Sequence, residues 1–191
     1  MKTAYFYTSN EHKAVEARHV FEGAGRVDVL KVRNGITEIL EVDLVRVIRA
    51  KAAAAYAAAR YPVVVEHGAF SIDALHGLPG ALIRPFWEGL GAAGLCELIP
   101  PGRPRTVRAS SAVCYCDGKQ RHVITREVRG ELALSERGTG GYHWDPVFIP
   151  ESDSAKRTFA ELPLEEKLRL SPAGLAYADM RDWMEKHLGG A

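Results

Sequence analysis

No apolar run in this sequence approaches the roughly 18 to 20 residues that a membrane-spanning helix needs. The opening MKTAYFYTSN also lacks the continuous apolar segment of a secretory signal. The expectation is a cytoplasmic protein with no membrane partner. Cysteine is scarce: there are three, with Cys114 and Cys116 in an alternating run and Cys96 far from any paired histidine. That spacing excludes a disulfide scaffold and a complete zinc site, leaving packing thiols. The seven histidines form no HExxH pair. Neither sign of charge dominates, since 25 Lys and Arg face 24 Asp and Glu for a net charge of +1. Bulk electrostatics therefore draws the chain to neither nucleic acid nor an anionic surface, and any anionic ligand has to be recognised locally. Arg103, Arg105, Arg108, Arg126 and Arg129 lack interleaved aromatics and a nucleic-acid motif, so they read as solvated strand and loop faces and no nucleic-acid partner is expected. No internal repeat is present.

What remains is an ordinary globular composition, 47% hydrophobic and 26% charged over 191 residues, enough for one substantial core. Lys2 to Ser9 reads as a first strand, and Asn10 can cap a helix running to about Phe21, with Ala14, Ala17 and Phe21 on one face. Gly23 to Gly25 ends that helix, Val27 to Val32 alternates as a second strand, and Arg33 to Gly35 is a polar turn. Leu44 to Arg60 carries helical spacing and an alanine-rich Lys51 to Ala59 tract of high helix propensity. Leu82 to Ile99 reads as a helix interrupted by glycines, and Pro100 to Pro104 as a loop able to join two lobes near residues 100–105. Thr106 to Cys116 and Arg121 to Val128 pair as strands about Asp117-Gly118, with further strands near Glu131 to Leu134 and Val147 to Ile149. Leu164 to Arg169 and Ala173 to Leu188 are helical. Alternating strands and helices followed by a run of strands predict one mixed α/β domain over residues 1–191, with a cleft between lobes.

The stretch Val63 to Gly80, VVVEHGAFSIDALHGLPG, reads as a strand over Val63 to Val65, a Glu66-His67-Gly68 turn, and a second short apolar run closed by Gly77-Leu78-Pro79-Gly80. A second local feature is Thr8-Ser9-Asn10 with Lys13 in the first helical turn. It places a hydroxyl, an amide, backbone N–H groups and an ammonium at a helix N-terminus, where the helix dipole favours anions.

Five segments in order carry a resemblance to the inosine triphosphate pyrophosphatase (ITPase) family of non-canonical purine NTP pyrophosphatases. Thr8-Ser9-Asn10 with Lys13 resembles its Thr-Gly-Asn-x-x-Lys opening, with Ser9 in place of glycine. Thr37-Glu38-Ile39-Leu40 and Lys51-Ala52 are similar to its Pro-Glu-Ile-Gln and Lys-Ala segments, with Glu41 a rival for the glutamate. Val63 to Gly80 resembles the central motif, but His67 stands where the family has aspartate; Asp73 matches a more distal part of that motif. Gly141-Tyr142-His143-Trp144-Asp145-Pro146 is similar to its Gly-Phe-Gly-Tyr/Trp-Asp-Pro loop. Thr158 to Leu162, Glu166-Lys167 and Ser171-Pro172-Ala173 follow its last series, with the His-Arg pair after the serine replaced.

The resemblance implies an elongated mixed sheet flanked by helices, two lobes with a central nucleotide cleft, and a homodimer. It implies a purine nucleoside triphosphate held by Thr8, Ser9, Asn10, Lys13, Lys51, Tyr142, His143, Trp144, Asp145, Lys167 and Ser171, with Lys13, Lys51 and Lys167 on the phosphates. Glu38 would hold Mg²⁺, a hard cation that takes a few carboxylates plus phosphate oxygens. The family's aspartate supports that metal and activates water, so here His67 or Glu66 would act. Imidazole brings no negative charge and prefers softer ions, which weakens a Mg²⁺ site and makes Mn²⁺ an alternative. The missing His-Arg pair puts recognition of a purine 6-oxo group in question. Two functional readings follow. One is a nucleotide-binding protein with impaired or lost hydrolysis, acting as a nucleotide-responsive sensor or subunit with an effector partner; the other is an active NTP pyrophosphatase with altered base preference.

Overall fold

The computed structural model describes residues 4–21, 27–33 and 35–188. Seven strands form one open sheet. Strand β1 (Ala4–Thr8) is followed by helix α1 (Glu11–Phe21), β2 (Val27–Lys31), α2 (Leu44–Ala59), β3 (Val63–Ile72) and the short β4 (Pro79–Gly80). Helix α3 (Ile83–Glu97), β5 (Thr106–Cys116), β6 (Arg121–Leu132), β7 (Phe148–Pro150), α4 (Leu164–Leu170) and α5 (Pro172–Leu188) complete the chain. The strand order is β2-β1-β3-β5-β6-β7, with β4 on β3. The β1 pairings to β2 and β3 are parallel, and the remaining ladders are antiparallel.

Both faces of the sheet are covered. Successive side chains of a strand point to opposite faces, so Val64, Val113 and Tyr115 pack with Phe6, Phe21 and Tyr177 beneath α1 and α5. Val63, Val65, Cys114 and Cys116 pack with Ile48, Ala52 and Ala55 of α2 on the other side. The alanine-rich tract of α2 is therefore a close-packing face, as its helix propensity suggests. Asp43 caps α2 by accepting from the amides of Val45 and Arg46, and Arg60 closes it in a left-handed conformation. A third cluster at the far end joins Phe70, Ile72 and Val107 to Leu95 of α3 and to Phe148 and Phe159. All three cysteines are buried and free, and burial pushes the Cys114 thiol up to about 12. No described helix is long and apolar enough to cross a membrane.

Two boundaries differ from the sequence reading. Glu66-His67-Gly68 is not a turn: β3 continues through it, paired to Val113, Ala112 and Ser111 of β5. Likewise the strand expected near Glu131 to Leu134 is the end of β6, which runs unbroken to Leu132. Gly130 marks the point where β7 crosses closely, since a Cβ there would lie 2.2 Å from the Ile149 carbonyl oxygen. Helix α3 carries one non-helical residue, Gly91. The helix end expected at Gly23 to Gly25, the start of the first strand at Lys2 and Asn34 of the polar turn lie outside the described residues.

The corner between α4 and α5 is closely packed around Gly174. A Cβ on Gly174 would sit 2.0 Å from the Leu168 carbonyl oxygen, backbone that cannot swing aside. Gly174→Ala is therefore expected to cost about 2–3 kcal/mol through overpacking, a drop of roughly 4–12 °C in Tm for a chain of this size. Thermal denaturation followed by circular dichroism checks it, and an unchanged Tm would show that the corner relaxes freely.

Candidate functional site

Among the described residues, strands β1 and β3 pair only at Tyr5–Val63 and Phe6–Val64, and β1 stops at Thr8 while β3 runs on to Ile72. The sheet opens beside β3 at that point, beyond the C-terminal ends of two parallel strands, where ligands of open α/β sheets commonly lodge. A cavity of about 270 Å³ fills the opening, lined by Thr8, Ser9, Asn10, Lys13, Glu38, Lys51, His67, Arg84, His143 and Trp144. The strand-to-helix turn is built as its sequence suggests. Thr8 Oγ1 accepts from the Asn10 amide at 3.1 Å, and Asn10 Oδ1 accepts from the Lys13 amide at 3.2 Å.

Because β3 crosses the site as a strand, its pleat sends Glu66 and His67 to opposite faces. Glu66 goes to the α1 side, fully buried, where Ser111 donates to Oε1 at 2.9 Å and Lys13 Nζ lies 2.6 Å from Oε2. Burial pushes its carboxyl up, but Lys13 and then Lys51 outweigh this and hold it below the usual range. His67 goes to the α2 side. Its Nε2 lies 3.1 Å from the Ala81 carbonyl oxygen and its Nδ1 3.1 Å from Glu38 Oε2. Lys51 Nζ is 2.9 Å from the other oxygen of Glu38. Against the upward push of burial, His67 and Lys51 hold Glu38 well below the ordinary carboxylate range, while burial and nearby Lys13 lower Lys51. The rival Glu41 is turned away: it accepts from the amides of Val42 and Asp43 and faces Arg46. Asp73 pairs with Arg108, apart from the cavity lining.

The residues expected around the base form a second, deeper group. Lys167, expected with Lys13 and Lys51 on the phosphates, lies instead between Glu16 and Asp145, with Nζ 2.6 Å from an oxygen of each. All three are buried. Burial pushes both carboxyls up, and the two carboxylates hold the ammonium protonated against its own burial. Asp145 also accepts from the Tyr142 amide at 2.7 Å, and the Tyr142 ring sits 4.9 Å from Lys167 Nζ while stacking on His12. Trp144 closes over Gly68, where a Cβ would come within 2.8 Å of the indole. The remaining space among Tyr142, Trp144, Lys167 and Ser171 is about 30 Å³, about the share of one liquid water. Ser171 is committed to capping α5, accepting from the Gly174 amide at 3.1 Å.

His143, which aligns with the middle glycine of the motif it resembles, adopts a left-handed backbone, φ 50°, a conformation that histidine tolerates better than most side chains. Burial, then Lys13, push its imidazole down to about 4, so it lines the cavity as a neutral ring. Sequence reasoning missed Glu16, Arg84 and Ser111. Glu16 had one available signal: three residues after Lys13, it is a charge next to the inward Ala14 and Ala17. Arg84 reaches the cavity rim from α3, paired with Glu88 at 2.8 Å. Among the described residues, no group of three or more His, Cys, Asp or Glu side chains converges as a metal cage.

Residues 4–183 match the model of the Ham1 family. A dITP/XTP pyrophosphatase of Thermococcus kodakarensis is 35% identical over 185 residues, covering 96% of this chain and 97% of the relative. Inosine triphosphate pyrophosphatase 1 of Trypanosoma cruzi is 35% identical over 176 residues, covering 91% of this chain and 88% of that protein. In fold, the chain resembles a HAM1 protein from Coxiella burnetii, with a TM-score of 0.81 at 18% identity over 96% of this chain and all of the other. The Ham1 protein of Staphylococcus aureus matches at a TM-score of 0.69 and 19% identity, covering 95% and 98% of the two chains. With a family model spanning nearly the whole sequence and full-length relatives above 30% identity, this chain belongs to the Ham1 family.

Proposed function

We propose that this protein is a nucleoside triphosphate pyrophosphatase that cleaves between the α- and β-phosphates, with a base preference altered by its Tyr142-His143-Trp144 loop and its Pro172-Ala173 pair. The observation that carries the reading is the convergence, in one cavity at the strand ends, of the Lys13 and Lys51 ammonium groups with the Glu38–His67 pair. Similarity to relatives named dITP/XTP pyrophosphatases supports the hydrolytic reading over a purely sensing one. In the reaction, a water oxygen bonds to the α-phosphorus and the α–β bridging P–O bond breaks, releasing a nucleoside monophosphate and diphosphate.

Lys13 and Lys51 act as point charges on the phosphate oxygens, and the N-terminus of α1 adds its dipole. Glu66 holds Lys13 in place, since both of its oxygens are engaged by Ser111 and Lys13. Glu38 and His67 are thus the cavity-facing groups beside the attacking water. Trp144 and Tyr142 offer ring faces to the base. The Asp145–Lys167–Glu16 group presents fixed charges of both signs to its edge.

Release of diphosphate from ITP, dITP, XTP and the common triphosphates, with Mg²⁺ or Mn²⁺, tests the proposal. Turnover of at least one purine triphosphate is the expected result. Tight binding with no turnover under either cation would sink it and leave the nucleotide-holding alternative, which the histidine at position 67 motivates.

A further inference from the structure

We propose that this cavity binds its nucleoside triphosphate without a divalent cation, because the phosphate charge is met by fixed cations of the protein: Lys13, Lys51, His67 and Arg84. The proposal rests on the pyrophosphatase reading above, which supplies the ligand.

The carboxylates of the site do not fit a Mg²⁺ ion, which is held through one or two carboxylates together with phosphate oxygens and waters. Lys51 Nζ lies 2.9 Å from Glu38 Oε1 and His67 Nδ1 lies 3.1 Å from Oε2, so each oxygen already has a partner. Glu66 stands on the other face of β3, buried, with its oxygens engaged by Ser111 and Lys13. Glu88, the remaining carboxylate of the lining, is paired with Arg84 and is 61% exposed. Among the described residues, no three His, Cys, Asp or Glu side chains converge as a cage.

The contacts of His67 make it one of the cations. The Ala81 carbonyl, 3.1 Å from Nε2, and the Glu38 carboxylate, 3.1 Å from Nδ1, can only accept. Each takes a ring hydrogen, so the ring carries both and is an imidazolium. Lys51, Glu38 and His67 then form a row of cation, anion and cation, with a positive charge left over.

The cavity lining as a whole sets four cations, Lys13, Lys51, His67 and Arg84, against two carboxylates, Glu38 and Glu88. Counting Glu66 behind Lys13 still leaves the cations in excess. The side chains of Lys13, Lys51 and His67 are only 14%, 13% and 13% exposed, and charges so far from bulk solvent are screened much less than surface ones. Lys13 lies close enough to Lys51 to oppose its charge, a repulsion that an anion in the cavity relieves. The N-terminus of α1 adds its dipole to the same end. A chelated Mg²⁺ cancels two of the triphosphate's charges, and with them part of its attraction to these cations.

The test titrates the full chain calorimetrically with the α,β-methylene analogue of ITP, once in excess Mg²⁺ and once in excess EDTA. In the wild-type protein, chelation is expected to weaken binding by no more than about threefold, since the fixed cations remain. A larger loss on chelation would overturn this proposal alone, and needs no variant to fold. His67→Asp turns a cation into a carboxylate beside Glu38, so in that variant chelation is expected to weaken binding by on the order of 100-fold. A folded His67→Asp protein that binds equally well in Mg²⁺ and in EDTA would also overturn the proposal, because the charge at position 67 would then not matter. Failure of the analogue to bind under either condition would overturn the pyrophosphatase reading, and this proposal with it.

Discussion

Lys167→Met is expected to lower stability by about 3–5 kcal/mol, the usual consequence of stripping one partner from a buried ion group, and Tm by roughly 6–20 °C. Methionine keeps the length of the stem, so packing loss is small and the missing charge dominates. The group consists of one ammonium between two carboxylates, each 2.6 Å away and all buried. Burial already pushes Glu16 and Asp145 upward, and Lys167 opposes that push in both. Without it, both carboxyls rise further, so the native state holds protons that the unfolded chain has released. Protons bound in excess by the native state make stability fall as pH rises above the unfolded carboxylate values. The deficit should therefore be largest near pH 8 and shrink toward pH 5, which thermal denaturation at the two pH values measures. A variant melting within a few degrees of the wild type at both pH values would mean that the cluster is solvated and holds nothing together.

That cluster also shows why parts of the site were legible in the sequence and others were not. Local chemistry was readable where it acts locally: Asn10 caps α1, placing Lys13 one turn on, and the β5–β6 hairpin turns at Asp117 and Gly118. In the Glu66-His67-Gly68 triplet only Gly68 is a turn-favouring residue, and the segment is not a turn. What makes it strand is the β5 ladder through Ser111, Ala112 and Val113, a long-range pairing that no local propensity reports. The strand matters for the site, since its pleat separates Glu66 and His67 onto opposite faces. The resemblance implies a ligand-facing Lys167, yet its neighbours Asp145 and Glu16 come from 22 and 151 residues away. Glu16 carries no reading in the sequence, because the Lys167 that partners it comes from the distant α4. Contacts of this range depend on the assembled fold, and they build the buried Glu16–Asp145–Lys167 group.

Lys13→Met is expected to weaken nucleoside triphosphate binding by about 10- to 100-fold, the worth of a hydrogen bond to a charged group, and to lower stability as well. The two losses have different origins. Lys13 Nζ stands 2.6 Å from Glu66 Oε2, and the wholly buried carboxylate stays below its usual range mainly because Lys13 offsets the cost of burial. Removing the ammonium leaves that charge with the Ser111 hydroxyl and the more distant Lys51, a penalty of about 3–5 kcal/mol. The ammonium has three donors, so it can hold Glu66 and still reach a phosphate oxygen in the cavity it lines. Combining Lys13→Met with Glu66→Gln separates the two roles. The neutral amide no longer needs a cation, so Tm should return most of the way, whereas triphosphate binding should stay weak because nothing replaces the phosphate-facing charge. Calorimetric titration of nucleotide into the single and double variants, beside their melting curves, reads both effects. If the double variant bound nucleotide as tightly as the wild type, Lys13 would serve only to neutralise Glu66, and the phosphate site would have to be sought around Lys51 and Arg84.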